Sequence, residues 1–156
     1  MNTFPEKIQK FLELKVIAVT GVSSTKPDAA NFIYQKFRDS NYEVFPINPS
    51  VSSVEGVECF PDLSSTPNQP EGVIIASPPS SAKSIIEECI SLGIQHVWFH
   101  SSINKGSLDE KAAEFGEEKG LNIIKTGCPM MYIPPIDFGH KCIKWVLKLT
   151  GKIPKK

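Results

Sequence analysis

The stretch that decides the fold runs from Lys15 to Pro27, KVIAVT followed by GVSSTKP. Lys15 to Thr20 is a short β-branched run of the kind that forms a strand buried on both faces of a sheet. It breaks at Gly21-Val22-Ser23-Ser24, and helical spacing begins near Asp28, with Ala29, Ile33 and Phe37 on one face and Asn41 at its end. A buried strand, a tight glycine–serine turn and a helix form the opening unit of a βαβ repeat.

The same alternation continues along the chain. Val44 to Asn48 (VFPIN) reads as the next strand, and Pro46 within it points to a sheet edge or a strand end. Residues 49–72 are irregular, with a short edge strand expected at Val57 to Phe60. Val73 to Ser77 (VIIAS) is a core strand followed by Pro78-Pro79. The helix after it is expected to be capped by Ser80 or Ser81, to bury Ala82, Ile85, Ile86, Cys89 and Ile90, and to stop at Gly93. His96 to His100 (HVWFH) is the fourth strand. Ser107 and Glu110 then match a capping box, with Leu108, Ala112 and Phe115 on the buried face and Gly120 at the helix end. Leu121 to Thr126 (LNIIKT) is the last strand. A final helix over 137–149 is expected to bury Phe138, Cys142, Trp145, Val146 and Leu149, with Trp145 in the core.

Strands joined by helices predict an α/β fold: a Rossmann-like, doubly wound, mostly parallel sheet of about five strands with helices on both faces. No repeat or long linker divides the 156 residues, so one domain over 1–156 is expected, with an N-terminal helix over 1–13. Phe4, Ile8, Phe11 and Leu12 give that helix one apolar face, to dock on the domain or on a partner chain.

Composition narrows the partners. Seventeen basic and seventeen acidic residues balance, which gives no global field for nucleic acid or an anionic membrane. Lys148, Lys152, Lys155 and Lys156 form a local basic cluster that reads as a solvated tail. No run is long enough to span a bilayer, and the start has no secretory pattern, so a cytoplasmic protein is expected. Cys59, Cys89, Cys128 and Cys142 lie far apart with no C-x-x-C pair, which reads as reduced thiols with no metal site.

In an open α/β sheet, ligands bind beyond the carboxyl ends of the strands. The first turn has one glycine where a dinucleotide fingerprint has three, and Asn48-Pro49 stands where a nicotinamide binder has an acidic ribose clamp. Gly21, with the hydroxyls of Ser23, Ser24 and Thr25, the charge of Lys26 and a helix start, nevertheless suits phosphate, or else an ordinary strand–helix loop. Ser77-Pro78-Pro79-Ser80 offers a rigid wall for a ring or a slender arm, or a stiff helix entry. His100 shows no fixed acid partner. Cys128 either lines the mouth of the site or is buried and inert. No nucleophile–base–acid series is visible by spacing, so no catalytic residue is assigned.

These strand ends resemble the CoA-binding domain family, small Rossmann-like proteins similar to the N-terminal domain of the succinyl-CoA synthetase α subunit. The matching segments are VIAVTGVSSTKP, YEVFPINP, VIIASPP, GIQHVWFHSSINKGS and GLNIIKTGCPMM. The resemblance implies coenzyme A as ligand. Gly21, Val22, Ser23, Ser24 and Lys26 would hold its phosphates, Asn48 and Pro49 would border the adenosine, Ser77, Pro78 and Pro79 would line its path, and Ser101, Ser102 and Ile103 would complete the far side. With no catalytic set beside these strand ends, the function expected is a carrier, a sensor or a partner of a CoA enzyme, with a homodimer left open. Two other readings remain: an enzyme using NAD(P) or another nucleotide, including thiol chemistry at Cys128, and a ligand-free interaction protein.

Overall fold

The computed structural model describes residues 2–104 and 106–154; Lys155 and Lys156 of the basic cluster lie outside them. Five parallel strands form the central sheet: β1 (Val16–Thr20), β2 (Glu43–Ile47), β5 (Gly72–Ile75), β6 (His96–Phe99) and β7 (Asn122–Ile124). Their order is β2-β1-β5-β6-β7. The chain winds outward from β1 to one side and then resumes at β5 on the other, so the order switches between β1 and β5. That switch is where a doubly wound sheet opens a crevice.

The sheet separates two cores, as the period of a strand requires. Ile17, Val19, Ile74, Trp98 and Ile124 point to one face, where they meet α1 (Phe4–Leu12), α2 (Ala29–Asp39) and α5 (Phe138–Leu149). Ala18, Val73, Ile75, Val97, Phe99 and Ile123 point to the other, against α3 (Ala82–Leu92) and α4 (Glu110–Glu118). The N-terminal helix docks on its own chain: Ile8 and Phe11 are buried, and Phe11 meets Trp98 edge-to-face with ring centroids 5.4 Å apart.

Pro46 lies on the edge strand β2, where its missing N–H removes no interior ladder bond. The strand expected at Val57 to Phe60 divides. Val57–Glu58 (β4) pairs with Ser53–Val54 (β3) in a separate antiparallel ribbon, and Phe60 alone bridges Ile47 on the outer side of β2.

Several helix details differ from the sequence reading. Ala29 is exposed, and Ala30 joins Ile33, Tyr34 and Phe37 on the buried face of α2. Neither Ser80 nor Ser81 caps α3 with its side chain, because a 3₁₀ turn over Pro79–Ser81 precedes the helix and turns the Ser81 hydroxyl back to the Pro78 carbonyl. The Ser107–Glu110 capping box does not form. Asp109 caps α4 by accepting from the Ala112 N–H at 2.8 Å, and Ser107 is buried against the preceding loop.

The largest correction concerns α5. Phe138, Trp145 and Leu149 are 82%, 63% and 59% exposed, and Cys142 and Val146 are also exposed. Leu147, opposite that stripe, is the buried residue. Trp145 is therefore not a core residue. At 100° per residue the apolar stripe is genuine, but periodicity does not say which face a helix turns to the sheet.

Candidate functional site

The cleft at the β1–β5 switch owes its shape to a close approach of backbone. Gly21 has φ +88°, and a Cβ placed on it would lie 2.7 Å from both N and Cα of Ser77. Only glycine lets the first strand end meet the third so closely. The cleft has a volume of about 570 Å³ and is lined by Thr20, Gly21, Ile47, Asn48, Pro49, Ser77 and Pro78 from the strand ends. Pro61, Asp62 and Leu63 of the irregular segment and Ser81, Ser84, Ile85 and Glu88 of α3 and its entry close the other wall. Such a volume lies within the range of small-molecule sites.

Hydroxyls tie its floor together. Thr20 and Ser77, both buried, are 2.9 Å apart through their oxygens, Ser77 and Ser81 are 2.7 Å apart, and Ser81 donates to the Pro78 carbonyl. Asn48 spends its amide on positioning: Nδ2 donates to the Val22 carbonyl at 2.7 Å and Oδ1 accepts from Ser50 N–H at 2.8 Å. The end of β2 is thereby fastened to the first turn.

That turn is itself built from inside. The Ser23 Oγ accepts from the backbone N–H of Lys26 at 3.1 Å. Asn31, 1% exposed on α2, accepts from Ser23 N–H and donates to Ser23 O. Ser24 and Lys26 project into solvent, and Asp28 caps α2 by accepting from Ala30 N–H at 3.0 Å. A phosphate would meet Ser24, Lys26 and the start of α2 here, with the Asp28 carboxylate already turned onto the helix.

The expected site residues thus separate into groups. Gly21, Asn48, Pro49, Ser77 and Pro78 share one cleft. Ser23, Ser24 and Lys26 form the adjoining turn. Val22 is fully buried and packs in the core, and Pro79 is exposed at the 3₁₀ turn. Ser101 is buried, its Oγ accepting from Gly127 N–H at 3.0 Å, which staples the β6 and β7 ends. Ser102 lines a second cavity, and Ile103 is 55% exposed.

Sequence reasoning missed Asn31, Asp62 and Glu88. Asp62 accepts from Ser64 and Ser65, bonds that hold its carboxyl below the usual range. Glu88 accepts from Ser64 N–H. Among the described residues, two carboxylates and no lysine or arginine line this cleft, which suits an uncharged arm or a base edge better than phosphate. Among the described residues no three His, Cys, Asp or Glu side chains are placed to hold a metal ion, and no helix is long and apolar enough to cross a membrane.

Comparison with known proteins adds the remaining findings. A family model described as a CoA binding domain matches residues 15–134. The chain is 23% identical to the ADP-forming acetate–CoA ligase of Methanocaldococcus jannaschii over 118 residues, 73% of this chain but 17% of the ligase. It therefore spans less than a fifth of that relative's length. A hypothetical protein of Pyrococcus horikoshii superposes with a TM-score of 0.74 at 26% identity, over 83% of this chain and 88% of that one. An acetyl-coenzyme A synthetase of Ca. Korarchaeum cryptofilum has the same fold over 78% of this chain and 27% of its own, with a TM-score of 0.63 at 21% identity.

Proposed function

The chain belongs to the CoA-binding domain family, and from that premise we propose that it binds coenzyme A or an acyl-CoA across the carboxyl ends of β1, β2, β5 and β6. The observation that carries this reading is the cleft at the Gly21–Ser77 crossing, which combines the fold's usual ligand position with a family model that matches both of its walls.

In this reading the nucleotide phosphates lie against Ser24, Lys26 and the start of α2. The adenosine borders Asn48 and Pro49, where the backbone is held by Asn48 rather than by an acidic ribose clamp. The pantetheine arm runs over Ser77 and Pro78 toward Ser102. Apolar lining with a few hydroxyls fits that arm, which carries amides but no charge. We take the whole chain as one domain acting as an acyl-CoA carrier, sensor or partner of a CoA enzyme; the part of the ligase that it matches is 17% of that protein.

Titration calorimetry with CoA and with dephospho-CoA tests the reading. Saturable binding of CoA in the micromolar range, weaker for dephospho-CoA, is expected. The absence of heat with either at high micromolar concentration would remove it.

A further inference from the structure

Beyond the cleft, the structure joins three side chains that the sequence leaves unconnected. Cys128 follows Gly127 after β7, and its Sγ lies 3.9 Å from Nε2 of His140 on the first turn of α5. Asp137, the residue that caps α5, places Oδ2 2.5 Å from His140 Nδ1 and accepts from the His140 backbone N–H through Oδ1 at 3.0 Å. With a carboxylate at Nδ1, the ring keeps its proton there and presents the Nε2 lone pair to the thiol. A thiol, a base and an orienting acid in that order are the parts of an activated nucleophile.

Two further observations give the group a purpose beyond packing. Cys128 and His140 line a cavity of about 370 Å³ together with Phe32, His100, Ser102 and Met130. Within that lining, His100 Nδ1 is a buried nitrogen with no hydrogen-bond partner among the described residues. A buried polar atom left unpaired is costly, and it marks a place shaped by something besides packing.

We propose that Cys128 accepts an acyl group from a CoA thioester, with His140 as its base and Asp137 as the residue that orients the base. This rests on the CoA reading above and turns the carrier role into a covalent one. β5 and β7 are two strand spacings apart, roughly 10 Å. An arm leaving the cleft at Ser77 crosses the end of β6, where Ser102 sits, to reach the sulfur.

In the step itself, His140 Nε2 takes the thiol proton while Sγ bonds to the thioester carbonyl carbon. The bond from that carbon to the CoA sulfur breaks, and the departing thiolate receives the proton from Nε2. One thioester replaces another, and nothing is oxidised or reduced. Burial pushes the Cys128 thiol up to about 11, so little thiolate exists unaided and the base is needed. The charged and titratable groups near the pair are Asp137 at the cap of α5, Tyr132 after the 3₁₀ turn and His100 after β6, with Asp28 before α2 acting on His100.

The test is intact-mass spectrometry and peptide mapping of the full chain incubated with acetyl-CoA, with the same samples followed by calorimetry. One acetyl group on Cys128 is expected, matched by released CoA, reversed by excess CoA and absent from Cys128→Ala. Cys142, exposed on α5, serves as an internal control and should remain free on that timescale. At saturating acetyl-CoA, His140→Ala should slow the labelling by about a hundredfold, with added imidazole restoring it, which a purely structural histidine would not allow. Acetyl on Cys142 instead, or none while acetyl-CoA still binds, overturns the inference and leaves the CoA reading standing. No binding at all overturns both.

Discussion

Asn31 and Ser23 exchange two hydrogen bonds: Ser23 N–H donates to Asn31 Oδ1 at 2.9 Å, and Asn31 Nδ2 donates to the Ser23 carbonyl at 2.8 Å. A buried amide on α2 thus does for the first turn what a second strand would otherwise do. Asn31→Ala removes both bonds and leaves the Ser23 backbone groups without that partner. A loss of about 1–3 kcal/mol in urea unfolding is expected, with CoA binding weakened roughly tenfold as the turn loosens. Unchanged stability would contradict the staple.

Gly21→Ala tests the crossing of β1 and β5. The added methyl would sit 2.7 Å from the Ser77 backbone at a residue with φ +88°, so both sterics and dihedral oppose it. Destabilisation above about 2 kcal/mol is expected in thermal or urea denaturation. Gly93→Ala, at φ +73° but with nothing within 4 Å, should cost clearly less.

The two tryptophans should differ in fluorescence. Trp98 is fully buried and donates to the Gly127 carbonyl at 3.0 Å, whereas Trp145 is 63% exposed. Acrylamide should quench one component readily, and Trp145→Phe should remove it and shift the remaining emission to the blue. Two equally protected tryptophans at low protein concentration would contradict the placement of α5.

Stability should fall on both sides of neutrality. Burial holds the His100 and His96 imidazoles below the ordinary value of 6.5, so the unfolded chain binds protons first as pH drops, and stability is lost below that value. Burial raises the Cys128 and Cys89 thiols to about 11 and about 12 from 9.0, so the unfolded chain releases protons first in alkali, and stability is lost above 9.0. Urea midpoints across pH would trace this, and His100→Gln should flatten the acid side.

The sheet was legible because each strand is a short apolar run ended by a turn residue. Val73 to Ile75 and Val97 to Phe99 alternate between the two cores, yet both faces are apolar, so the runs are continuous in sequence. Pro46 left a sheet edge or a strand end open, and it lies on the edge strand β2. The orientation of α5 was not legible, because Leu147 and Ile143 turn into the core shared with α1 and α2 while the more apolar stripe through Trp145 faces away. A hydropathy pattern ranks faces and carries no information about the chain that delivers the helix. Within the candidate site, Gly21, Asn48 and Ser77 followed from their place at strand ends. Asn31 gave no signal, since a helical asparagine reads as surface until its partners are known. Asp62 lies in a segment without periodicity, and Glu88 sits on a helix whose pattern marks only its core face. Asp137, His140 and Cys128 lie within thirteen residues, but the 3₁₀ turn over Pro129–Met131 brings the thiol round to the helix start.

Asp137 serves the backbone with one oxygen and the imidazole with the other. The aim of the ring is therefore only as secure as the leading turn of its helix: fraying at that end would swing His140 off the sulfur without touching the sheet. Reactivity here is yoked to secondary structure, and a contact that steadied or unwound a few residues after Ile136 would act on the thiol from outside the cavity.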